Sequence, residues 1–247
     1  LAAELDPDCP VAHAYLAEAY HAAGRLAEAQ AAYAEALERA PFEAAFHVNL
    51  GTLQRDLGKS TAAEQSYRRA LELRPDFALA HFDLGNLLAD RRDFAAAAAA
   101  FEQACQIDPA DARAHWRHGD MLLKQRQFDR AERAYRDALE VSPNDPEALY
   151  GLGELYRLQR RSADAERAYR RAIELKPDYA AAHTALGIVF YERGDVDEAE
   201  RLYRRATELD PAEAAPYHNL GTLYREARGD LDAAERWFRQ ALERAPE

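Results

Sequence analysis

Proline stands at Pro7, Pro41, Pro75, Pro109, Pro143, Pro177 and Pro211, each 34 residues after the one before. A fixed period of this length marks a chain made of stacked copies of one supersecondary unit, and it excludes a globule whose parts all differ. With places counted from residue 10, glycine holds the eighth place at Gly51, Gly85, Gly119, Gly153, Gly187 and Gly221, with Ala17 there in the first unit. Alanine holds the twentieth place (Ala29, Ala63, Ala97, Ala131, Ala165, Ala199), and an aromatic ring the twenty-fourth (Tyr33, Tyr67, Phe101, Tyr135, Tyr169, Tyr203). The expected units are 10–43, 44–77, 78–111, 112–145, 146–179, 180–213 and 214–247, with 1–9 the tail of a preceding repeat and the whole a fragment of a longer protein.

Each unit reads as two amphipathic helices, because apolar residues recur at three- and four-residue spacing on both sides of a short break marked by Gly24, Gly58 or Gly194. His183, Leu186, Gly187 and Phe190 mark one face of a first helix; Ala199, Tyr203 and Ala206 mark the second. Glycine and alanine at the paired places let two helix backbones approach, and the aromatic fills the space beside them. Proline then ends the second helix, since its ring and missing N–H do not suit a helix interior. In the last unit one extra residue stands between Tyr224 and Gly229, which moves the closing proline to Pro246 and predicts a different local bend.

The stretches "HFDLGNLLADRRDFAAAAAAFEQACQIDP", "HTALGIVFYERGDVDEAERLYRRATELDP" and "YHNLGTLYREARGDLDAAERWFRQALERAP" resemble the tetratricopeptide repeat, and the resemblance covers essentially the whole chain. It implies an all-α fold, a right-handed α-solenoid or superhelix of about seven helix-turn-helix repeats, with a concave groove lined by first helices and a convex back of second helices. The usual aromatic at the fourth place is replaced by His13, His47, His81, His115 and His183, with Leu149 and Tyr217 in the other units. A second resemblance is to the superhelix of O-linked N-acetylglucosamine transferases and related bacterial proteins, whose asparagine ladder is matched at the sixth place by Asn49 and Asn219 but not by Tyr15, Asp83, Arg117, Gly151 or Ala185. The carboxylate-clamp pattern of chaperone-binding repeats is met by Arg113 and Arg117, but Asp83 replaces an expected Asn, and Val48 and Thr52 fill the preceding unit.

The formal charge of −12 arises from acids interleaved with arginines, which disfavours nucleic acid and suits protein or peptide partners. Cys9 and Cys105 are too few for a disulfide framework or a metal cluster and do not fix a compartment, for which the cytoplasm is the expectation. No apolar run has the roughly 20 residues needed to span a bilayer. His115 and His118, three apart, with Cys105 in the preceding helix suggest a metal only weakly, because no further ligand falls into register. Phosphate loops, nucleophile elbows and zinc-protease signatures do not occur, so the expectation is a non-enzyme without cofactor. Arginine and alanine richness points to a bacterial, GC-rich source.

The candidate peptide-binding groove is read from first-helix places that avoid the core. At the fifth place Val48, Phe82, Trp116 and Tyr150 form a ladder, either apolar anchors for a ligand or rings folded down as core. Beside it stand Asn86, Asp120 and Glu154 at the ninth place, Arg113 and Arg117 one turn apart, and Lys124 and Arg157 beyond. The set suits an extended peptide with apolar anchors and an acidic group, or a partner's helix. The expected function is a non-catalytic interaction scaffold. Alternatives are a substrate-targeting arm of a larger glycosyltransferase or methyltransferase, and a module that self-associates end to end. The alanine run of "RRDFAAAAAAFEQACQIDP" keeps Ala97 in register, while Ala96, Ala98 and Ala99 replace charges of other units. These three are expected on the outer face, where Glu and Arg at the last two would leave folding intact.

Overall fold

The structure, a computed structural model, describes residues 9–245. Among them the chain is all α-helix, without a strand, in consecutive hairpins. The pairs are α1 (Pro10–Ala22) with α2 (Leu26–Arg39), α3 (Ala44–Asp56) with α4 (Ser60–Leu73), and α5 (Ala78–Asp90) with α6 (Phe94–Ile107). Then follow α7 (Ala112–Lys124), α8 (Phe128–Val141), α9 (Pro146–Leu158) with α10 (Ser162–Leu175), α11 (Ala180–Arg193) with α12 (Val196–Leu209), and α13 (Ala214–Leu223) with α14 (Leu231–Arg244). This is the α-solenoid expected of the repeats. The chain divides between Gln127 and Phe128 into two compact units, the first holding α1 to α7 and the second α8 to α14. The expected preceding-repeat tail lies, but for Cys9, outside the described residues, as does Pro246.

Within four of the hairpins one ring contact sets the distance between the helices. The rings of Tyr33, Tyr67, Phe101, Tyr135, Tyr169 and Tyr203 are fully buried. Four of these lie against the glycine on the facing first helix: a Cβ would stand 2.7 Å from the Tyr67 ring at Gly51, 2.8 Å from Phe101 at Gly85, 2.4 Å from Tyr169 at Gly153 and 2.6 Å from Tyr203 at Gly187. A carbon at such a distance cannot be accommodated without moving the ring, so the missing methyl is what admits it. Burial also keeps the phenols neutral, pushing Tyr33 and Tyr67 up to about 12.

The turns inside the hairpins need a left-handed residue. Gly24, Gly58 and Gly194 supply it as the sequence suggested, but Arg92, Arg126 and Arg160 occupy the same conformation, at φ of 63°, 58° and 59°. For an L-residue this costs about 1 kcal/mol or more. In the last repeat the extra residue is absorbed by a π-helical turn, Tyr224–Arg228, closed by Gly229 at φ +68°.

Successive repeats are linked by a bridge that runs from a second helix to the next hairpin turn. Lys59 Nζ donates to Gln30 Oε1 at 2.8 Å. Arg91 pairs with Glu64, Arg193 Nη1 with Glu166 at 2.8 Å, Arg161 Nη1 with Glu132 at 3.8 Å and Arg228 Nη2 with Glu200 at 3.3 Å. The same carboxylates also take an arginine one turn along their own helix, as Glu64 does from Arg68 and Glu166 from Arg170. Only 13% of the Glu64 side chain and 18% of Glu166 is exposed, so these pairs are better shielded than ordinary surface pairs.

Ala98 stands at this place in α6. It is 7% exposed and packs in the core cluster with Leu88 and Phe101, so the expectation of an outer-face position is corrected; Ala99 is exposed and Ala96 half-buried. The neighbouring turn has changed with it. Gln125 replaces the arginine, and its Nε2 donates to the Phe94 carbonyl at 3.0 Å and the Met121 carbonyl at 3.2 Å. A carboxylate placed at residue 98 alone would be buried without a cation, which reverses the expectation that charges are tolerated there.

Two measurements check this packing. Gly153→Ala should destabilise by about 1–2 kcal/mol net in urea unfolding, ring displacement outweighing alanine's better helix propensity. Ala98→Glu should cost about 1–3 kcal/mol. Adding Gln125→Arg should recover much of that cost, and a double-mutant cycle with no coupling would disprove the bridge at this junction.

Candidate peptide-binding grooves

First-helix faces carry the residues expected to bind, and the structure sorts them into separate local groups. In the first unit a cleft of about 200 Å³ is lined by Glu18, His21, Tyr33, Val48, Asn49, Thr52, Leu79 and Asp83. Its polar groups are already engaged. Asn49 Nδ2 donates to Glu18 Oε1 at 2.7 Å, His21 Nε2 pairs with Asp56 Oδ2 at 2.9 Å, and the Thr52 and Tyr67 hydroxyls lie 3.3 Å apart. Burial pushes the Asp83 carboxyl above its ordinary value. Val48 is 1% exposed, so as a member of the ladder it belongs to the core and has almost no surface for a ligand.

Phe82 and Arg113 are brought together. The Phe82 ring meets Phe101 edge-on at 5.6 Å, and the Arg113 guanidinium lies 5.2 Å from its centroid. That guanidinium is clamped by Asp111, Nε to Oδ1 and Nη2 to Oδ2 both at 2.9 Å, while Asp111 Oδ1 also caps the Arg113 N–H at 3.0 Å. Arg113 is therefore a neutralised part of the α7 start. Trp116 is half-buried, with the Arg117 guanidinium 4.7 Å from its ring. Asn86 and Asp120 are half-buried and Lys124 exposed on the same helices.

Tyr150, Glu154 and Arg157 belong to the second unit, where they line a groove of about 350 Å³ with Ala180, Ala181, Thr184, Ala185, Ile188, Asp210, Glu213 and Ala215. Spacing places them: on α9 the fifth, ninth and twelfth places share one face, and α11 presents its fifth and ninth places, Thr184 and Ile188, across from them. Tyr150 is supported by Tyr169 at 5.8 Å and Tyr179 at 5.2 Å between centroids. Glu154 takes Arg157 Nη2 at 2.8 Å and the Tyr169 hydroxyl at 2.5 Å. The hydrogen bond and charge of Glu154 raise the Arg157 guanidinium further above its ordinary value, and burial raises Tyr169. Arg157 is thus engaged, like Arg113. Thr184 and Ile188 stand at the fifth and ninth places, which were read as groove-facing, without having been named as candidates; Asp210 and Glu213 were missed because they sit at helix termini outside the places considered.

The repeated histidines tie hairpin to hairpin. The Nε2–H of His47, His81, His115 and His183 donates to the carbonyl of Pro41, Pro75, Pro109 and Pro177, at 2.9, 3.0, 3.0 and 3.1 Å. In the last repeat the Tyr217 hydroxyl reaches the Pro211 carbonyl at 3.5 Å. Among the described residues no three His, Cys, Asp or Glu side chains gather to hold a metal, and no helix is long and apolar enough to cross a membrane.

A family model described as the cilia and flagella-associated protein 70 C-terminal domain matches residues 42–247, and a tetratricopeptide-repeat model matches residues 2–50. The chain belongs to the tetratricopeptide-repeat family. No curated protein matches the sequence. A tetratricopeptide repeat protein from Parabacteroides merdae has a TM-score of 0.80 at 19% identity, covering 95% of this chain and 92% of its own. PilW, a type IV pilus biogenesis factor, has 0.73 at 22% identity, covering 82% and 94%. YrrB, a tetratricopeptide protein with an unusual peptide-binding site, has 0.52 at 22% identity, covering 74% and 94%. At these identities the likeness shows the fold.

Burial lowers the His183 imidazole below its usual range, and its buried Nδ1 has no acceptor for a second proton. A depressed folded-state value means the unfolded chain binds the proton first. Stability from this group is therefore present above about pH 6.5 and lost as pH falls below it. The loss in urea midpoint from pH 8 to 5 should be smaller in His183→Tyr, which borrows the residue of the last repeat; equal losses would refute the assignment.

Proposed function

We propose that the chain is a non-catalytic interaction scaffold that holds an extended peptide in the first-helix groove between α9, α11 and α13. The observation that carries this reading is the groove itself, a concavity of about 350 Å³ with Tyr150 and Ile188 on its walls and small residues, Ala181, Ala185 and Ala215, along it. Small side chains admit a backbone, and a supported aromatic offers a rigid contact at low entropic cost. Phe82 and Trp116 offer a separate apolar surface in the first unit for the same partner class. Membership of a repeat family in which YrrB carries a peptide-binding site supports the assignment. Arg113 and Arg157, engaged by Asp111 and Glu154, serve to hold their helices and neighbouring rings in place.

Peptides selected from a random display library on the wild-type chain should lose about 1–4 kcal/mol of affinity on Tyr150→Ala, with helicity by circular dichroism retained. They should bind unchanged to Arg167→Ala, an exposed position on α10. Binders indifferent to Tyr150, or more sensitive to the α10 variant, would place recognition elsewhere.

A further inference from the structure

Resting on that reading, we infer that the groove of the second unit selects a cationic side chain, so its peptide carries lysine or arginine beside an apolar residue. Within the lining, Glu154 and Arg157 cancel, which leaves Asp210 and Glu213. Each of these accepts a backbone N–H, Asp210 Oδ1 from Ala212 at 3.1 Å and Glu213 Oε1 from Ala215 at 3.5 Å, and neither forms an ion pair among the described residues. A bond from a neutral amide leaves each formal charge in place, offset in part at Glu213 by the N-terminus of α13 that it caps and by Arg244, whose Nε donates to the Pro211 carbonyl at 2.6 Å. Asp210 also follows the last residue of α12, where the helix carbonyls add negative partial charge. The groove therefore presents a negative rim next to an apolar wall.

The ligand would use both parts of the lining. An extended peptide sets side chains on one face roughly 7 Å apart, and in the inferred pose one aliphatic side chain lies against Tyr150 and Ile188 while another side chain on the same face lies near Asp210 and Glu213, which line the same groove. A lysine or arginine there lays its methylenes along Ala181 and Ala215 and brings its charge to the carboxylates. An acidic side chain at the same place would face two like charges, which disfavours it. The polarity is the reverse of that expected from Arg113, Arg117 and Arg157 in the sequence.

The test uses fluorescence anisotropy with three labelled, capped hexapeptides in which leucine alternates with arginine, glutamine or glutamate. The arginine peptide should bind, with affinity falling as salt rises from about 50 to about 300 mM, and the glutamate peptide should not. Asp210→Asn with Glu213→Gln, which keeps the two backbone hydrogen bonds, should weaken the arginine peptide about tenfold or more. Glu174→Gln with Glu208→Gln makes the same charge change at exposed sites on α10 and α12 and should leave binding unaltered. If the glutamine or glutamate peptide binds as tightly and is lost on Tyr150→Ala, the cationic preference is overturned while the groove reading stands. If arginine-peptide binding responds equally to both double variants, a diffuse acidic surface explains it and the inference fails. No binding by any of the three overturns the inference and the groove reading together.

Discussion

An aromatic ring seated on a bare helix backbone is the contact on which the rest of this architecture depends. Where Tyr169 lies on Gly153, or Phe101 on Gly85, two helices come within the thickness of one ring, and the facing first-helix side chains are fixed in direction. The groove inherits its geometry from that spacing. Tyr169 fills the hairpin with its ring, supports Tyr150 from below, and holds Glu154 by its hydroxyl, so one side chain ties the core to the groove wall.

Between hairpins within each unit the apolar core is continuous, and polar links are added to it at two levels. A fourth-place imidazole holds the carbonyl of the preceding proline, so the residue that ends one helix is also the acceptor that seats the next. A second-helix carboxylate holds the arginine of the following turn. In the second link the carboxylate is the shielded partner, and neither link asks for a reactive group.

Much of this was legible in the sequence because periodicity reports buried contacts: glycine, alanine and the aromatic recur since each fills a space that recurs. The hairpins, their core face and the insertion at Tyr224 followed from it. What stayed hidden depends on individual side-chain choices within the period. Val48 shares a place with Tyr150 but is short enough to be covered completely. Arg92 and its two counterparts take a glycine conformation with no glycine to announce it. Two of the arginines that looked free for a ligand, Arg113 and Arg157, meet acids two and three residues away in the chain, and the two acids at the groove rim sit at helix ends, where the amphipathic pattern does not look.

The paired change at Ala98 and Gln125 bears on how such a chain can be cut and rejoined. Its partners lie in different repeats, so a boundary drawn at the start of each first helix separates residues that have changed together. Transplanting 146–179 into the place of 78–111 would bring Glu166 opposite a glutamine instead of an arginine. The portion that can be exchanged intact runs from one second helix through the next hairpin turn. Repeats that look interchangeable by period are therefore ordered along the chain by the charge each one hands to its successor.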